Sequence, residues 1–177
     1  MVDPNDIVFD GWDINNASLD VAMKRACVFD HALQQKLAPM MSVKPMKSIY
    51  YPSFIAANQS DRANNVYEGT RASTEHLEAI RKDIAQFKAQ NELETVIVIW
   101  TANTERYTDI VPGVHDSEQN LLSAVERGHS EIAPSQIFAM ASILEQCAFI
   151  NGSPQNTFCP AIIAMARSAL PLSSSFV

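Results

Sequence analysis

Thr95-Val96-Ile97-Val98-Ile99-Trp100 runs directly into Thr101-Ala102-Asn103-Thr104-Glu105-Arg106-Tyr107. A short apolar, β-branched run of this kind predicts a strand buried on both faces, as in a parallel sheet. Polar residues crowded just past the carboxyl end of such a strand stand where open α/β sheets bind their ligands. The stretch therefore points at once to a fold class and to a site.

The neighbouring segments extend the same pattern. Ser73 or Thr74 opens an amphipathic helix, with Glu75 and Glu78 near its positive end and Leu77, Ile80, Ile84 and Phe87 at helical spacing. Downstream, Val111-Pro112-Gly113 reads as a turn, and Asp116 with Gln119 resembles a capping box ahead of Leu121, Leu122 and Val125. Ser135 begins a helix that is apolar on nearly every side through Leu144, which predicts deep burial or a subunit contact. Ala148-Phe149-Ile150 is a further strand, ending in Asn151-Gly152-Ser153-Pro154-Gln155-Asn156-Thr157, and Ile162 to Ala169 reads as helix.

Upstream, Ile7-Val8-Phe9 is a short strand candidate closed by Asp10-Gly11. Asn16 or Ser18 can cap a helix through Ala26, and Asp30 a second through Leu37. Ser48 to Asn65 reads as an irregular polar connection. Strands alternating with helices imply a layered α/β sheet with right-handed crossovers.

The 177 residues suffice for one ordinary domain, and 47% apolar with 19% charged residues fits a globular chain. A net charge of −7, with 13 scattered Lys and Arg among 20 acids, disfavours nucleic-acid and anionic-membrane partners. Cys27, Cys147 and Cys159 lack CxxC spacing and sit among apolar residues, so three buried thiols in a reducing, cytoplasmic setting are expected and no metal site. No signal peptide and no membrane-spanning stretch is expected.

The five glycines form neither G-x-G-x-x-G nor a P-loop. Asp10 and Asp13 could still meet ribose hydroxyls from a strand end, although Asp10-Gly11 by itself reads as a turn. Thr101 to Arg106 offers hydroxyls, an amide, a carboxylate and a guanidinium, against the common fate of a polar loop capping the next helix. Gly152 permits close backbone approach, and the amides after it could face an anion or carbonyl at a helix start. His31, His76, His115 and His129 show no ligand spacing and read as surface or locally capped residues.

Several of these segments, taken in order, carry a resemblance. Asp10-Gly11-Trp12-Asp13-Ile14, Pro52 to Gln59, Arg62-Ala63-Asn64-Asn65, Ile80 to Ile84, Val96 to Tyr107, Ala141 to Glu145 and Ile150 to Phe158 closely resemble the eukaryotic myo-inositol-1-phosphate synthases, also called inositol-3-phosphate synthases. The likeness runs to about Ala166. It implies the central part (residues 1–167) of a Rossmann-like α/β NAD-binding domain, with a mostly parallel sheet flanked by helices, incomplete at both ends. It also implies an isomerase: glucose 6-phosphate is oxidised by NAD, enolised, cyclised and reduced to an inositol monophosphate, the step towards inositol and its phospholipids, in a homotetramer. By motif, the implied NAD contacts are Asp13, Ser48, Ile49, Gln59, Arg62, Thr101, Ala102, Asn103, Thr104, Gly152 and Ser153.

The departures carry equal weight. The family's glycine-rich NAD loop and its catalytic lysines have no counterpart here, so no catalytic residue is assigned and the chain alone is expected to be inactive. A non-catalytic shortened form that binds and modulates full-length subunits is the alternative. Gln146 stands where the family usually has Gly, and Cys159 and Ala161 replace a usual Val and Gly. From Ser168 to Val177 the sequence leaves the family pattern as a divergent tail.

Overall fold

A computed structural model describes residues 3–169; the tail expected from Ser168 to Val177 lies outside the described residues apart from Ser168 and Ala169. The chain divides into two compact units. One holds the residues up to Tyr50 together with Asn58–Glu68, the other Tyr51–Ala57 together with the chain from Gly69 onward.

In the first unit a parallel pair joins β1 (Trp12–Asp13) to β2 (Met46–Lys47), with Trp12 opposite Met46 and Asp13 opposite Lys47. Helices α1 (Leu19–Ala26) and α2 (His31–Leu37) make the crossover. Asp30 caps α2 through the Leu33 N–H, as its position before the apolar repeat predicts. Ser18 stands at the N-cap of α1, yet its hydroxyl donates to Asp20 instead of accepting from the helix. The expected strand Ile7-Val8-Phe9 does not form, and Phe9 is 80% exposed. A strand needs a partner ladder, and β2 begins its register one turn later, where the Met46 N–H meets the Gly11 carbonyl. Cys27, expected to be buried, is exposed in a left-handed conformation at the end of α1; all three cysteines are free thiols, and Cys147 and Cys159 are buried.

The second unit contains α3 (Thr74–Gln90), β3 (Ile97–Trp100), α4 (Glu118–Glu126), α5 (Pro134–Leu144), β4 (Ala148–Asn151) and α6 (Pro160–Ala169). Strands β3 and β4 pair in parallel, Ile97 opposite Ala148 through Trp100 opposite Asn151. Helix α5 fills the centre: Pro134 to Ser142 are all buried, with α3, α6 and β4 packed on it and Trp100 against Phe138 at 5.2 Å. Its all-round apolar surface is thus a core feature. Arg81 of α3 reaches Glu145 just past the end of α5 at 2.7 Å.

The strand prediction needs one correction. Val96 and Val98 are buried, but Ile97 and Ile99 are 57% and 59% exposed, and their neighbours Ala148 and Ile150 are exposed beside them. The helices cover one face of the pair only, so the period-2 alternation decides which valines and isoleucines are wet. The fold class stands as α/β with parallel pairing, drawn as two short sheets and not one.

Two helix starts also shift by one residue. Ser117, not Asp116, caps α4 by accepting the Asn120 N–H, while Asp116 accepts from Gly113 N–H and the Asn120 amide. Helix α5 begins with Pro134 after Ala133, which places Ser135 inside the first turn. Two of the histidines expected near the surface are buried: His76 pairs with the Tyr51 hydroxyl at 2.8 Å, and His115 accepts from Val111 N–H and donates to the Glu131 carbonyl.

Ala133 has no side-chain acceptor for the orphan amides of α5. Glu105 supplies it from the loop after β3, accepting the Ser135 N–H at 2.9 Å and the Ser135 hydroxyl at 2.5 Å. The carboxyl is held there by an antiparallel bridge between Ile55 and Glu105. Burial pushes the Glu105 carboxyl up to about 7, with the Ser135 donors and Arg106 pulling the other way.

The other end of α5 is closed by a Schellman motif: Gln146 N–H donates to the Ile143 carbonyl and Cys147 N–H to that of Ser142. Gln146 takes φ +57 there, which explains why the resemblance expects glycine at this position. Gln146→Gly is expected to raise stability by about 0.5–1 kcal/mol, relief of the left-handed strain outweighing the greater freedom of glycine in the unfolded chain, read as a higher urea midpoint at unchanged slope. For Glu105 the sign follows from the proton count. Between an ordinary glutamate's 4.5 and about 7 the native state holds a proton that the unfolded chain has released. Stability is therefore lost as pH rises through that window. Relative to Glu105→Gln, the parent should lose on the order of 1–3 kcal/mol between about pH 5 and about pH 7.5; urea titrations at both ends check it.

Candidate cofactor site

Both parallel pairs end in polar loops, and the expected NAD contacts divide between them. Asp13, Ser48, Ile49, Gln59 and Arg62 belong to the first unit, and Thr101 to Thr104, Gly152 and Ser153 to the second.

In the first unit Asp13 ends β1 with its carboxylate exposed, one oxygen accepting the Asn15 N–H in an Asx turn. Ser48 follows β2 and is threaded between Asn65 and Tyr67 by backbone bonds at 3.0 and 2.9 Å. Asn65 holds the strand ends in place, its amide nitrogen donating to the carbonyls of Asp13, Pro45 and Met46 at 3.0, 3.2 and 2.9 Å. Arg62 closes a 3₁₀ turn (Ala57–Arg62) and donates to the Gln59 amide oxygen at 3.2 Å. Its buried Nε has no partner among the described residues. Ile49 is buried, as is Ser48.

In the second unit the loop after β3 leaves Thr101, Ala102 and Asn103 exposed, with the Thr101 and Asn103 side chains unbonded among the described residues. Thr104 is fixed through its carbonyl, which accepts the Ala56 N–H at 3.0 Å. Arg106, a candidate by position, is engaged elsewhere: it donates to the Ser53 and Tyr107 carbonyls, pairs with Glu131 at 2.8 Å and lies 4.0 Å over the Phe54 ring. It anchors the loop instead of facing a ligand.

The loop after β4 is laced onto the loop after β3. Gly152 N–H donates to the Trp100 carbonyl at 2.9 Å, and a Cβ at this glycine would stand 3.3 Å from that oxygen. The Gln155 amide donates to the Ala102 carbonyl at 3.2 Å, and Asn156 exchanges two bonds with the Thr108 backbone at 2.8 and 2.9 Å. Asn151 turns the chain after β4, accepting Ser153 N–H and donating to the Gln155 carbonyl. Asn65, Glu105, Gln155 and Asn156 were not among the expected NAD contacts, although Glu105 lies in the polar Thr101–Arg106 segment and Gln155 and Asn156 in the loop after Gly152.

The donor set suits a dinucleotide. An exposed carboxylate at a strand end accepts from ribose hydroxyls, an arginine with an unsatisfied Nε complements a pyrophosphate, and exposed Thr101 and Asn103 with half-buried Ser153 can bond a carboxamide or ribose. Among the described residues, no three His, Cys, Asp or Glu side chains converge as a metal site, and no helix is long and apolar enough to cross a membrane.

Comparison with known proteins agrees with this chemistry. Residues 1–172 match the NAD-binding family model described as myo-inositol-1-phosphate synthase. The chain is 59% identical over 167 residues to inositol-3-phosphate synthase of Dictyostelium discoideum, covering 94% of this chain and 32% of that protein. It is 56% identical to the Saccharomyces cerevisiae inositol-3-phosphate synthase, covering 94% and 33% of the two. A crystal structure of inositol-3-phosphate synthase from Caenorhabditis elegans superposes with a TM-score of 0.91 at 51% identity, over 95% of this chain and 33% of that one. The chain thus spans about a third of the length of these relatives. Matched along nearly all of its length, it belongs to the myo-inositol-1-phosphate synthase family, within that family's NAD-binding domain.

Proposed function

We propose that the chain forms one wall of the NAD pocket of an inositol-3-phosphate synthase, acting in the cytoplasm on glucose 6-phosphate within a homotetrameric enzyme. The observation that carries this reading is the exposed Thr101–Asn103 segment, tied through Ala102 to Gln155 at the carboxyl ends of two paired parallel strands. NAD, when bound, supplies a hydride acceptor and donor. The chain's own part is to bind and orient it: Asp13 accepts from ribose hydroxyls, Arg62 and Gln59 meet the pyrophosphate, and the Ser48–Ile49 backbone borders the nucleotide. Thr101 to Thr104, Gly152 and Ser153 supply further contacts to the cofactor.

None of these residues is placed as a general acid or base for enolisation or ring closure. The chain is therefore a cofactor-binding part and makes no inositol phosphate alone. Calorimetry with NAD and an assay for inositol phosphate from glucose 6-phosphate separate the two statements. NAD binding without turnover is expected; turnover by the purified chain refutes the second statement, and absent NAD binding refutes the first. Asp13→Asn, which keeps an oxygen to accept the Asn15 N–H, should weaken NAD binding about tenfold, the loss of one charge-assisted hydrogen bond, with its thermal midpoint unchanged.

A further inference from the structure

Three buried side chains from three separate segments meet at the first turn of α5. Thr157, from the loop after β4, donates its hydroxyl to Ser135 Oγ at 2.9 Å. Ser135 donates in turn to Glu105 Oε1 at 2.5 Å, and its N–H to Oε2 at 2.9 Å. Glu105 lies in the loop after β3, one residue past the expected NAD contact Thr104. Thr157 lies four residues past Ser153. All three are buried, at 6%, 0% and 1% exposure for Glu105, Ser135 and Thr157, with their polar atoms committed to one another.

We infer that Glu105, Ser135 and Thr157 are positioning residues, a hydroxyl relay that fixes the spacing between the Thr101–Thr104 loop and the Gly152–Ser153 turn and thereby sets the affinity for NAD. The inference rests on the NAD-pocket reading given above. Each hydroxyl hydrogen is used once, and with Glu105 ionised the relay runs in one direction, Thr157 to Ser135 to Glu105. Both loops are thereby pinned to the same helix start, itself buried in the core. The Gln155 and Asn156 bonds join the loops to each other; the relay refers both to α5.

Thr157→Val keeps the volume and removes a single donor, leaving Ser135 bonded to Glu105, so the core stays satisfied. In the 177-residue chain at about pH 8, this variant should bind NAD about five- to tenfold more weakly than the parent, the size of one net hydrogen bond. Amides of residues 101–104 and 152–157 should exchange faster with solvent, while those of α3 exchange as in the parent. Thr157→Ser, which restores the donor, should recover both affinity and protection. Parent-like NAD affinity in Thr157→Val overturns the inference, as does a loss that Thr157→Ser fails to rescue or faster exchange in α3 as well. A parent that binds no NAD overturns the pocket reading instead. The exchange arm then still decides the relay, because unchanged loop protection in Thr157→Val overturns it without any ligand.

Discussion

The first amides of a helix have no partner inside the helix, and at the buried start of α5 the residue that ordinarily supplies one is an alanine. A carboxyl group brought in from Glu105 meets that need, and much of the second unit follows from where it must stand. To reach Ser135, the chain leaving β3 turns back over the start of α5 and is clamped by the Ile55 bridge and by Arg106 against Ser53, Phe54 and Glu131. The segment between strand and clamp, Thr101 to Thr104, is left short, ordered and open to solvent. A capping requirement inside the core thus shapes a surface that can receive a ligand. The polar loop after the strand does cap a helix, as such loops commonly do, but the helix is α5 and not its sequence neighbour α4.

Elements with long periodic patterns were legible from composition and spacing. Helix α3 starts at the Ser73 cap and buries Leu77, Ile80 and Ile84 as its repeat requires. The burial of α5 followed from its lack of a polar face. Cap positions were legible to within a residue, because Asp116 and Ser117 each have an amide-bearing residue three further on and only packing selects between them. What the pattern does not contain is the second face of β3. A β-branched run reads alike whether Ile97 and Ile99 meet a helix or water, and the alternation that separates them from Val96 and Val98 is hidden when all four are apolar.

The site divides in the same way. Strand-end polar residues were legible by position, and the family likeness assigned them to a dinucleotide. The residues that hold them were not, because their bonds join amides to carbonyls across 48 to 53 positions, as in Asn156 with Thr108 and Gln155 with Ala102. No local pattern encodes such a partner. Of the three departures from the family pattern, Gln146 has a clear physical reading in its left-handed backbone. Cys159 and Ala161 are buried, and nothing in the structure distinguishes them from the usual residues.

Asn151-Gly152 is, as a dipeptide, among the sequences most prone to chemical ageing. In a mobile chain the glycine nitrogen attacks the asparagine side-chain carbonyl and expels ammonia, and water then opens the resulting succinimide to aspartate or isoaspartate. In the fold that nitrogen donates its hydrogen to the Trp100 carbonyl at 2.9 Å. The asparagine amide is held from both sides, by Ser153 N–H at 3.0 Å and the Gln155 carbonyl at 2.8 Å. Cyclisation has to break these bonds first. The lacing that orders the loops thus also sets the molecule's shelf life: every excursion that frees Gly152 risks a permanent negative charge at the carboxyl end of β4, and deamidated molecules accumulate as a record of how often the loop has opened.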